Sequence, residues 1–510
     1  MWKQRWFALL TWLIVSGLIL SGVPASAQVP KRGGTLTVGL LGPIDRPDPH
    51  ANPNQPALWL VQLLYSYLVQ YDRNLNLRPD LATSWERTDS KSYVFHLRRG
   101  ARFHNGREVT SADVKYSIER IMDPKTGSSR RLRYASVDKV EASDPYTIVF
   151  RLKYPDNVLP YVLADPASAV VAREVVEKED NLLRSEAGSG PFKLESLTSD
   201  GGAVLVRNGD YYDKEKPYVD RVILRSIPDN SARMTAVRTK DVDIATFLVT
   251  HQIEVLRKDP TVVVSDGRSG QYYILALNTR RKPLDDVRVR QAIAWALDRN
   301  AIVKGALSGE GFPLDAGPIP AWHWAGIKTE IFKPDVAKAK QLLASSSAPN
   351  GFMLNIRVWA PQDYVVDAAS LIQEQLQPLG IKVQIEQQAD WPTYWNPVQN
   401  GNYDATIQGF GGNTHPVDWL DESFRTGGTL NITGYSNPKV DDLLQRARVT
   451  PTPERQAEIY AEVQQIIAQE VAMVFVYNMK QATAYRTDVK GFYHMPNLTL
   501  AGVVDTWLDR

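Results

Sequence analysis

The segment GFGGNTHPVDWL, residues 409–420, contains several side chains that can hold a small molecule. It carries an aromatic ring at Phe410, an amide at Asn413, an imidazole at His415 and a carboxylate at Asp418. Rings stack on apolar faces of a ligand, whereas amides and carboxylates make directional hydrogen bonds. This combination on a glycine-rich turn is typical of a binding site. His415 is one of seven scattered histidines without ligand-like spacing, so we predict no metal site there and no cofactor.

Two loops with such residues follow strands of a predicted parallel sheet. The pattern predicts a strand over 354–359, a helix over 365–376 and a strand over 381–385, a unit whose strands run parallel. A further strand is predicted over 403–408. Ligands bind beyond the carboxyl ends of parallel strands, so we expect both loops to face one cleft. The residues expected there are Trp359, Phe410, Asn413, His415 and Asp418. For any one of these aromatic rings, a place in the hydrophobic core is at least as good an interpretation as a place in the cleft.

Other elements surround this unit. The chain is rich in predicted strands up to residue 278, and helices and strands alternate from about 285. Thr110 is expected to cap a helix over 110–122, and helices are also predicted over 58–69 and from Pro334. The apolar run 272–277 predicts a strand buried on both faces, with Tyr273 expected at the cleft.

The amino-terminal residues have the layout of a secretory signal. Lys3 and Arg5 precede an apolar stretch over 6–20, which ends in Ala25-Ser26-Ala27. We predict cleavage after Ala27 and a periplasmic mature chain. The alternative is an uncleaved membrane anchor, because the uncharged run is long enough to span a bilayer.

Composition excludes several classes of protein. The chain has 0 cysteines, which excludes thiol catalysis, cysteine-ligated zinc and a lipid-anchored cysteine. Its net charge is +2, and the short basic cluster Arg130-Arg131-Leu132-Arg133 is interpreted as a solvated loop. We therefore expect no nucleic-acid partner. A length of 510 residues indicates two or three domains.

Several motifs together resemble a known family. Leu81 to Glu86, Tyr93 to Gly106 and Val109 to Ser117 resemble the signature of the bacterial extracellular solute-binding proteins, family 5. These are the oligopeptide-, dipeptide- and nickel-type binding components of ABC importers. Further matches follow in the expected order: Gly188 to Lys193, Asp241 to Ile244, Leu277-Asn278, Val287 to Ile293 and Tyr435 to Pro438.

The resemblance implies a mixed α/β, two-lobed fold of the periplasmic binding protein type II kind, with an extra inserted domain (three domains, cluster C type). The implied boundaries are a signal peptide at 1–27, domain I at 28–58, 187–278 and 483–510, domain II at 59–186 and domain III at 279–482. It also implies hinge closure through connections near Asn278 and Tyr485, a monomer, delivery of a small solute to membrane permease subunits, and no catalysis.

The sequence departs from its peptide-binding relatives at two positions that recognise charge. Those relatives have a Trp and an Asp where this chain has Phe410 and Asn413, and the Asp pairs with the peptide ammonium. Dipeptide-type members have an Arg in the loop where this chain has Gln362 and Asp363. Trp391 matches a ring of the relatives' pocket. We therefore predict a peptide or peptide-like ligand other than a simple dipeptide; the alternatives are an opine, a sugar or a polyol conjugate.

Two rival functions belong to other classes. An exported hydrolase would need catalytic motifs, but no His-Glu-x-x-His, Gly-x-Ser-x-Gly or phosphate-binding glycine loop is present in the sequence. Asp404 and Asp418 as a glycosidase pair would be the remaining option, and acidic residues are too common to indicate it. A periplasmic chaperone or a sensor is the third alternative.

Overall fold

The computed structural model describes residues 29–510 apart from 46–47, 52–54, 129, 179–181, 183–184, 249, 268, 329 and 412–413. The expected signal peptide and its cleavage site lie outside these residues. Within the described part, every helix is too short or too polar to cross a bilayer.

The strands are β1 (Thr35–Leu40), β2 (Val69–Tyr71), β3 (Leu77–Pro79), β4 (Ala82–Asp89), β5 (Ser92–Leu97), β6 (Val137–Asp144), β7 (Thr147–Leu152), β8 (Phe192–Leu197), β9 (Ala203–Arg207), β10 (Arg221–Ser226), β11 (Ile244–Leu248), β12 (Val262–Gly267), β13 (Tyr272–Leu277), β14 (Gly311–Pro313), β15 (Met353–Trp359), β16 (Lys382–Gln388), β17 (Ala405–Phe410), β18 (Val474–Met479), β19 (Gln481–Arg486), β20 (Val489–Lys490) and β21 (Trp507–Leu508). The α-helices are α1 (Gln55–Leu64), α2 (Ser111–Met122), α3 (Leu159–Val162), α4 (Arg173–Lys178), α5 (Asn230–Thr239), α6 (Thr250–Arg257), α7 (Val287–Ala296), α8 (Arg299–Ala306), α9 (Val336–Ala344), α10 (Asp363–Leu376), α11 (Trp391–Gln399), α12 (Pro416–Phe424), α13 (Pro438–Val449) and α14 (Pro453–Gln469).

Three large sheets organise most of these elements, and β2-β3 and β20-β21 form two-stranded sheets. A seven-stranded sheet has the order β12-β19-β11-β1-β10-β9-β8, and a six-stranded sheet has the order β14-β18-β13-β17-β15-β16. The third, β4-β5-β7-β6, is antiparallel throughout. Helices pack against the sheets, so the predicted mixed α/β class is confirmed.

The six-stranded sheet has the parallel unit that the sequence predicts. β15 pairs in parallel with β16 from Met353↔Lys382 to Trp359↔Gln388, and with β17 at Ile356↔Ala405. Trp359 and Phe410 therefore end neighbouring strands at one edge of the sheet. β13 runs antiparallel to β17, with Tyr272 opposite Phe410, so the start of β13 reaches the same edge.

The chain passes between the two large sheets at two places. β12 belongs to the seven-stranded sheet and β13 to the six-stranded sheet, while β18 and β19 are joined through Lys480 alone. The crossings thus lie before Tyr272 and at Lys480, not near Asn278 and Tyr485 as expected. Residues 272–277, expected in domain I, instead belong to the six-stranded sheet, because an apolar strand buried on both faces fits either sheet. We call residues 272–479 the C lobe and the rest of the described chain the N lobe.

Local signals predicted some helix ends correctly and others wrongly. Asp113 accepts a hydrogen bond from the Thr110 amide at 2.9 Å, which confirms the capped start of α2. The expected helix over 58–69 instead ends at Leu64, and Val69 begins a strand. The helix expected to begin at Pro334 begins at Val336, because Asp335 accepts from the Lys338 amide at 2.9 Å and so acts as the cap.

Gly409 fits only without a side chain. A Cβ atom there would lie 2.5 Å from ring carbons of Tyr273. That ring stacks on Tyr477 with centroids 4.9 Å apart, and its hydroxyl group is 2.9 Å from that of Tyr364. The ring is therefore held from two sides and cannot move away.

We expect Gly409→Ala to lower the free energy of unfolding by about 1–3 kcal/mol, the usual cost of overpacking. Gly42→Ala is the control, since nothing lies within 4 Å of its Cβ position. Urea unfolding measures both. Equal stability of the two variants would contradict the tight packing around Tyr273.

Candidate functional site

Two predicted tryptophans meet at the carboxyl edge of the six-stranded sheet. The ring centroids of Trp359 and Trp391 are 5.1 Å apart, and Trp395 stacks on Trp391 at 5.5 Å. Trp391 is 40% exposed, and the buried indole N–H of Trp359 has no hydrogen-bond partner in the protein. Gln362, at the start of α10, makes no capping hydrogen bond through its side chain. These groups are free to contact a ligand, which stays a prediction.

Tyr273 and Phe410 lie in the core on opposite faces of the sheet. Tyr273 is 1% exposed and packs among Tyr364 and Tyr477. Phe410 is 8% exposed and packs on Tyr272, with centroids 5.7 Å apart. The structure therefore places neither ring in the shared open cleft expected from the sequence, because alternate residues of a strand point to opposite faces. Their contact with a ligand stays a prediction.

The turn after β17 borders a cavity. Asn413 lies outside the described residues, but Gly411 and Thr414 on either side of it line a cavity of about 70 Å³. The Thr414 hydroxyl group is 2.8 Å from that of Tyr71, which belongs to the N lobe. This turn therefore contacts the opposite lobe.

His415 has a structural role that its sequence context did not reveal. It is 1% exposed, and its Nδ1 accepts a hydrogen bond from the Val417 amide at 3.3 Å, so it caps α12. Its ring lies 4.5 Å from that of Tyr161 in the N lobe. Burial lowers the pKa of His415 to about 3, which keeps the imidazole neutral at physiological pH.

Asp418 joins the turn to the opposite lobe. Its Oδ2 accepts from the amides of Thr414 and His415, each at 3.0 Å, and its Oδ1 lies 3.0 Å from Arg133. Burial raises the pKa of Asp418, but the Arg133 charge and the two amides outweigh that and hold it below its ordinary value. The carboxylate is thus saturated by the protein in this structure, rather than open to a ligand.

Arg133 is the functional residue that sequence reasoning missed. It pairs with Asp165 of its own lobe at 2.9 Å. Across the interface between the N and C lobes, which we call the seam, it pairs with Asp418 at 3.0 Å and Glu422 at 2.8 Å. Its side chain is only 13% exposed, so the interpretation of 130–133 as a solvated loop is wrong for this residue. Nothing in the sequence indicates that a distant acidic helix covers it.

A second pair crosses the seam in the reverse direction. Arg448 of the C lobe lies 3.1 Å from Asp156 of the N lobe and 2.7 Å from Asp421 of its own lobe. Each lobe therefore supplies one buried arginine to carboxylates of the other. These contacts join the lobes.

The largest of the described cavities, about 650 Å³, lies where the lobes meet. It is lined by Arg73 to Leu77, Tyr161, Trp322, His323, Trp324, Pro453, His494 and Pro496. Trp324 is 43% exposed, whereas His323 is buried and lies 3.3 Å from the Thr414 carbonyl oxygen through Nε2. The Ala325 amide donates to His323 Nδ1, so Nε2 carries the proton. The C lobe therefore lines this cavity with the rings of Trp322, His323 and Trp324, and the N lobe contributes Tyr161 and the segment 73–77.

Six buried polar atoms without a partner in the protein lie at the crossings between the sheets and in the segment 494–499, of which His494 and Pro496 line this cavity. They are Gln271 Oε1, Asn478 Oδ1, Gln481 Oε1, His494 Nε2, Asn497 Oδ1 and Thr499 Oγ1. We call them the polar cluster. The backbone brings them together, since Asn478 donates to the Ser269 carbonyl at 2.9 Å and the Gly270 amide donates to Pro496 at 3.0 Å. Buried polar atoms are costly when unsatisfied, which marks this cluster as a place where a ligand can bind.

We expect Arg133→Gln to lower the free energy of unfolding by about 3–5 kcal/mol, because it leaves buried carboxylates without their cation. Lys139→Gln is the control, since Lys139 pairs with Glu141 but is 64% exposed. Urea unfolding compares them. A loss for Arg133→Gln as small as that of the control would show that the seam contributes little.

Four histidines with a lowered pKa predict a loss of stability in acid. Burial lowers the pKa of His415 to about 3, and of His50, His323 and His494 to about 4, from an ordinary 6.5. As the pH falls from 6.5 towards 4, these imidazoles become protonated in the unfolded chain but stay neutral in the folded chain. The free energy of unfolding therefore decreases.

We expect His415→Asn, which can still cap α12, to flatten this dependence. The thermal midpoint between pH 7 and 5 measures the effect, with the exposed His96→Asn as the control. Identical slopes for the two variants would contradict a buried neutral His415.

Comparisons with known proteins agree with this architecture. Residues 76–431 match the family model described as bacterial extracellular solute-binding proteins, family 5 Middle. The probable D,D-dipeptide-binding periplasmic protein DdpA of Escherichia coli K12 is 30% identical over 508 residues, covering 93% of this chain and 94% of DdpA.

Solved structures give the same result. The binding protein AgaA of A. tumefaciens R10, in complex with agropinic acid, superposes with a TM-score of 0.83 at 30% identity, covering 94% of this chain and 99% of AgaA. DppA of Helicobacter pylori, in complex with the peptide STSA, gives 0.82 at 26% identity, covering 94% of this chain and 99% of DppA. The chain therefore belongs to the bacterial extracellular solute-binding proteins, family 5, the substrate-binding components of ABC importers.

Proposed function

We propose that this chain is a periplasmic carrier that encloses a peptide-like solute larger than a dipeptide between its N and C lobes. The observation that carries the proposal is the cavity of about 650 Å³ where the lobes meet, which His494 of the polar cluster lines. Ligand cavities of roughly 300–1,000 Å³ suit drug-sized molecules. The position of this cavity at the junction of the lobes suits a ligand that both lobes enclose.

The polar cluster suits ligand groups that donate hydrogen bonds. Four of its atoms are amide oxygens, of Gln271, Asn478, Gln481 and Asn497, and such oxygens accept from N–H or O–H groups. Burial lowers the pKa of His494 to about 4, so that member is also uncharged at neutral pH. A buried ammonium needs a carboxylate, and the Asn413 amide cannot replace one. A short zwitterionic peptide is therefore disfavoured.

A conjugate of an amino acid with a sugar, such as an opine, is the second candidate. The 30% identity and TM-score of 0.83 with AgaA, whose structure contains agropinic acid, favour it specifically. Hydroxyl groups of a sugar would donate to amide oxygens as well as peptide N–H groups do. Rings such as Trp324 would cover the apolar faces of either ligand.

Transport requires that the lobes open and close. The two crossings between β12 and β13 and between β18 and β19 are short, so they act as a double hinge. Ligand binding favours the closed state only through contacts that the open state lacks. The closed carrier, a monomer released by cleavage after Ala27, then delivers the unchanged cargo to the permease subunits.

Titration calorimetry of the mature chain with dialanine, tetra-alanine and agropinic acid tests the ligand class. We expect saturable binding of tetra-alanine or agropinic acid and none of dialanine. Tight dialanine binding would overturn the exclusion of short peptides.

Native mass spectrometry of the protein purified without refolding identifies the cargo itself. We expect an intact small molecule to dissociate from it. A ligand that is chemically converted on incubation would instead support the exported hydrolase and overturn the carrier role.

A further inference from the structure

A narrow cavity leads from the turn after β17 into the N lobe. The cavity of about 70 Å³ next to Gly411 and Thr414 shares part of its wall with another of about 80 Å³. The shared residues are Gln62, Tyr71, Pro166, Asn497 and Thr499. The two cavities are therefore neighbours, and the second extends to Asp80.

Asp80 is a buried carboxylate without an ion pair among the described residues. It is 3% exposed, its Oδ1 accepts from the Tyr212 hydroxyl at 2.7 Å and its Oδ2 from the Tyr67 amide at 2.9 Å. Arg98 comes near, but it donates at 3.3 Å to the backbone carbonyl of Asp80 and not to its carboxylate. Arg78 lines the same cavity without forming an ion pair with Asp80.

The other acids on these walls differ from Asp80. Asp165 is paired with Arg133 at 2.9 Å, and Asp505 is paired with Lys216, so the protein balances both charges. Asp213, which accepts from the Glu215 amide at 3.1 Å, is partly exposed, whereas Asp80 is buried. Burial raises the pKa of Asp80 to about 6, partly offset by the hydrogen bonds of Tyr212 and Tyr67, and the group is still largely ionised at pH 8.

The groups around Asp80 suit a cation. The cavity wall includes five tyrosines, Tyr65, Tyr67, Tyr71, Tyr211 and Tyr212. Tyrosine ring faces attract positive charge, and the face of Tyr212 already holds the Arg98 guanidinium 4.3 Å from its centroid. The buried Tyr67 hydroxyl, Asn497 Oδ1 and Thr499 Oγ1 on the same wall have no hydrogen-bond partner in the protein, and each can accept from an ammonium group. A buried, unpaired carboxylate is unfavourable until a cation reaches it.

We infer that Asp80 and the tyrosines around it form a subsite for a protonated amine of the cargo. The inference rests on the proposed function and extends it. It assigns the amine to a position deep in the N lobe instead of next to Asn413.

Methylammonium tests the subsite without any assumption about the cargo. At pH 8 we expect methylammonium chloride to raise the thermal midpoint of the wild-type protein above that in potassium chloride of equal concentration. Asp80→Asn, which keeps the size of the side chain and an acceptor oxygen, is expected to remove the difference. Asp210→Asn, an exposed carboxylate two residues before Tyr212, is expected to keep it. Equal midpoints in the two salts for the wild type would overturn the subsite.

Tetra-alanine and N-acetyl-tetra-alanine test the link to the cargo. We expect acetylation, and separately Asp80→Asn, to weaken binding at least tenfold in titration calorimetry. Equal affinity for both peptides would overturn the assignment of the amine to Asp80. If methylammonium stabilises the wild type while neither peptide binds, the peptide proposal fails and the subsite stands.

Discussion

The turn after β17 and the contact between the lobes both depend on the hydrogen bonds and the ion pair of the Asp418 carboxylate. One oxygen holds the amides of Thr414 and His415, which sets the turn after β17, and the other meets Arg133 from the opposite lobe. A single buried group therefore couples the shape of the turn to the contact between lobes. Asp418 must be ionised both to hold the two amides and to pair with Arg133. These interactions together therefore have to outweigh the cost of burying its charge.

This coupling explains why the carboxylate of the motif is not available to a ligand. Asp418 is used for helix capping and for the seam, and the large cavity is lined instead by rings such as those of Tyr161, Trp322 and Trp324. Recognition by uncharged groups is tolerant of chemical variety, which suits a carrier. The unpaired charge lies elsewhere, at Asp80, where tyrosines surround it.

Local chemistry was predictable where neighbours in sequence determine it. Thr110 and Asp113 lie within one helical turn, so their capping hydrogen bond could be predicted, and the parallel pairing of β15 with β16 follows from a strand-helix-strand unit. The burial of Arg133 could not be predicted, since its partner Asp418 is 285 residues away along the chain. The side of the sheet that Tyr273 faces likewise depended on the register of β13 with β17.

The sequence by itself determined the family, the mixed α/β class and the shared edge of Trp359 and Phe410, because motifs and periodicity are properties of short segments. Only the tertiary structure decided where the chain crosses between the sheets, that His415 caps a helix, and that Asp80 is buried without an ion pair to any described residue. Those features depend on which distant surfaces meet. Burial and charge pairing between distant segments are settled by packing, not by spacing along the chain.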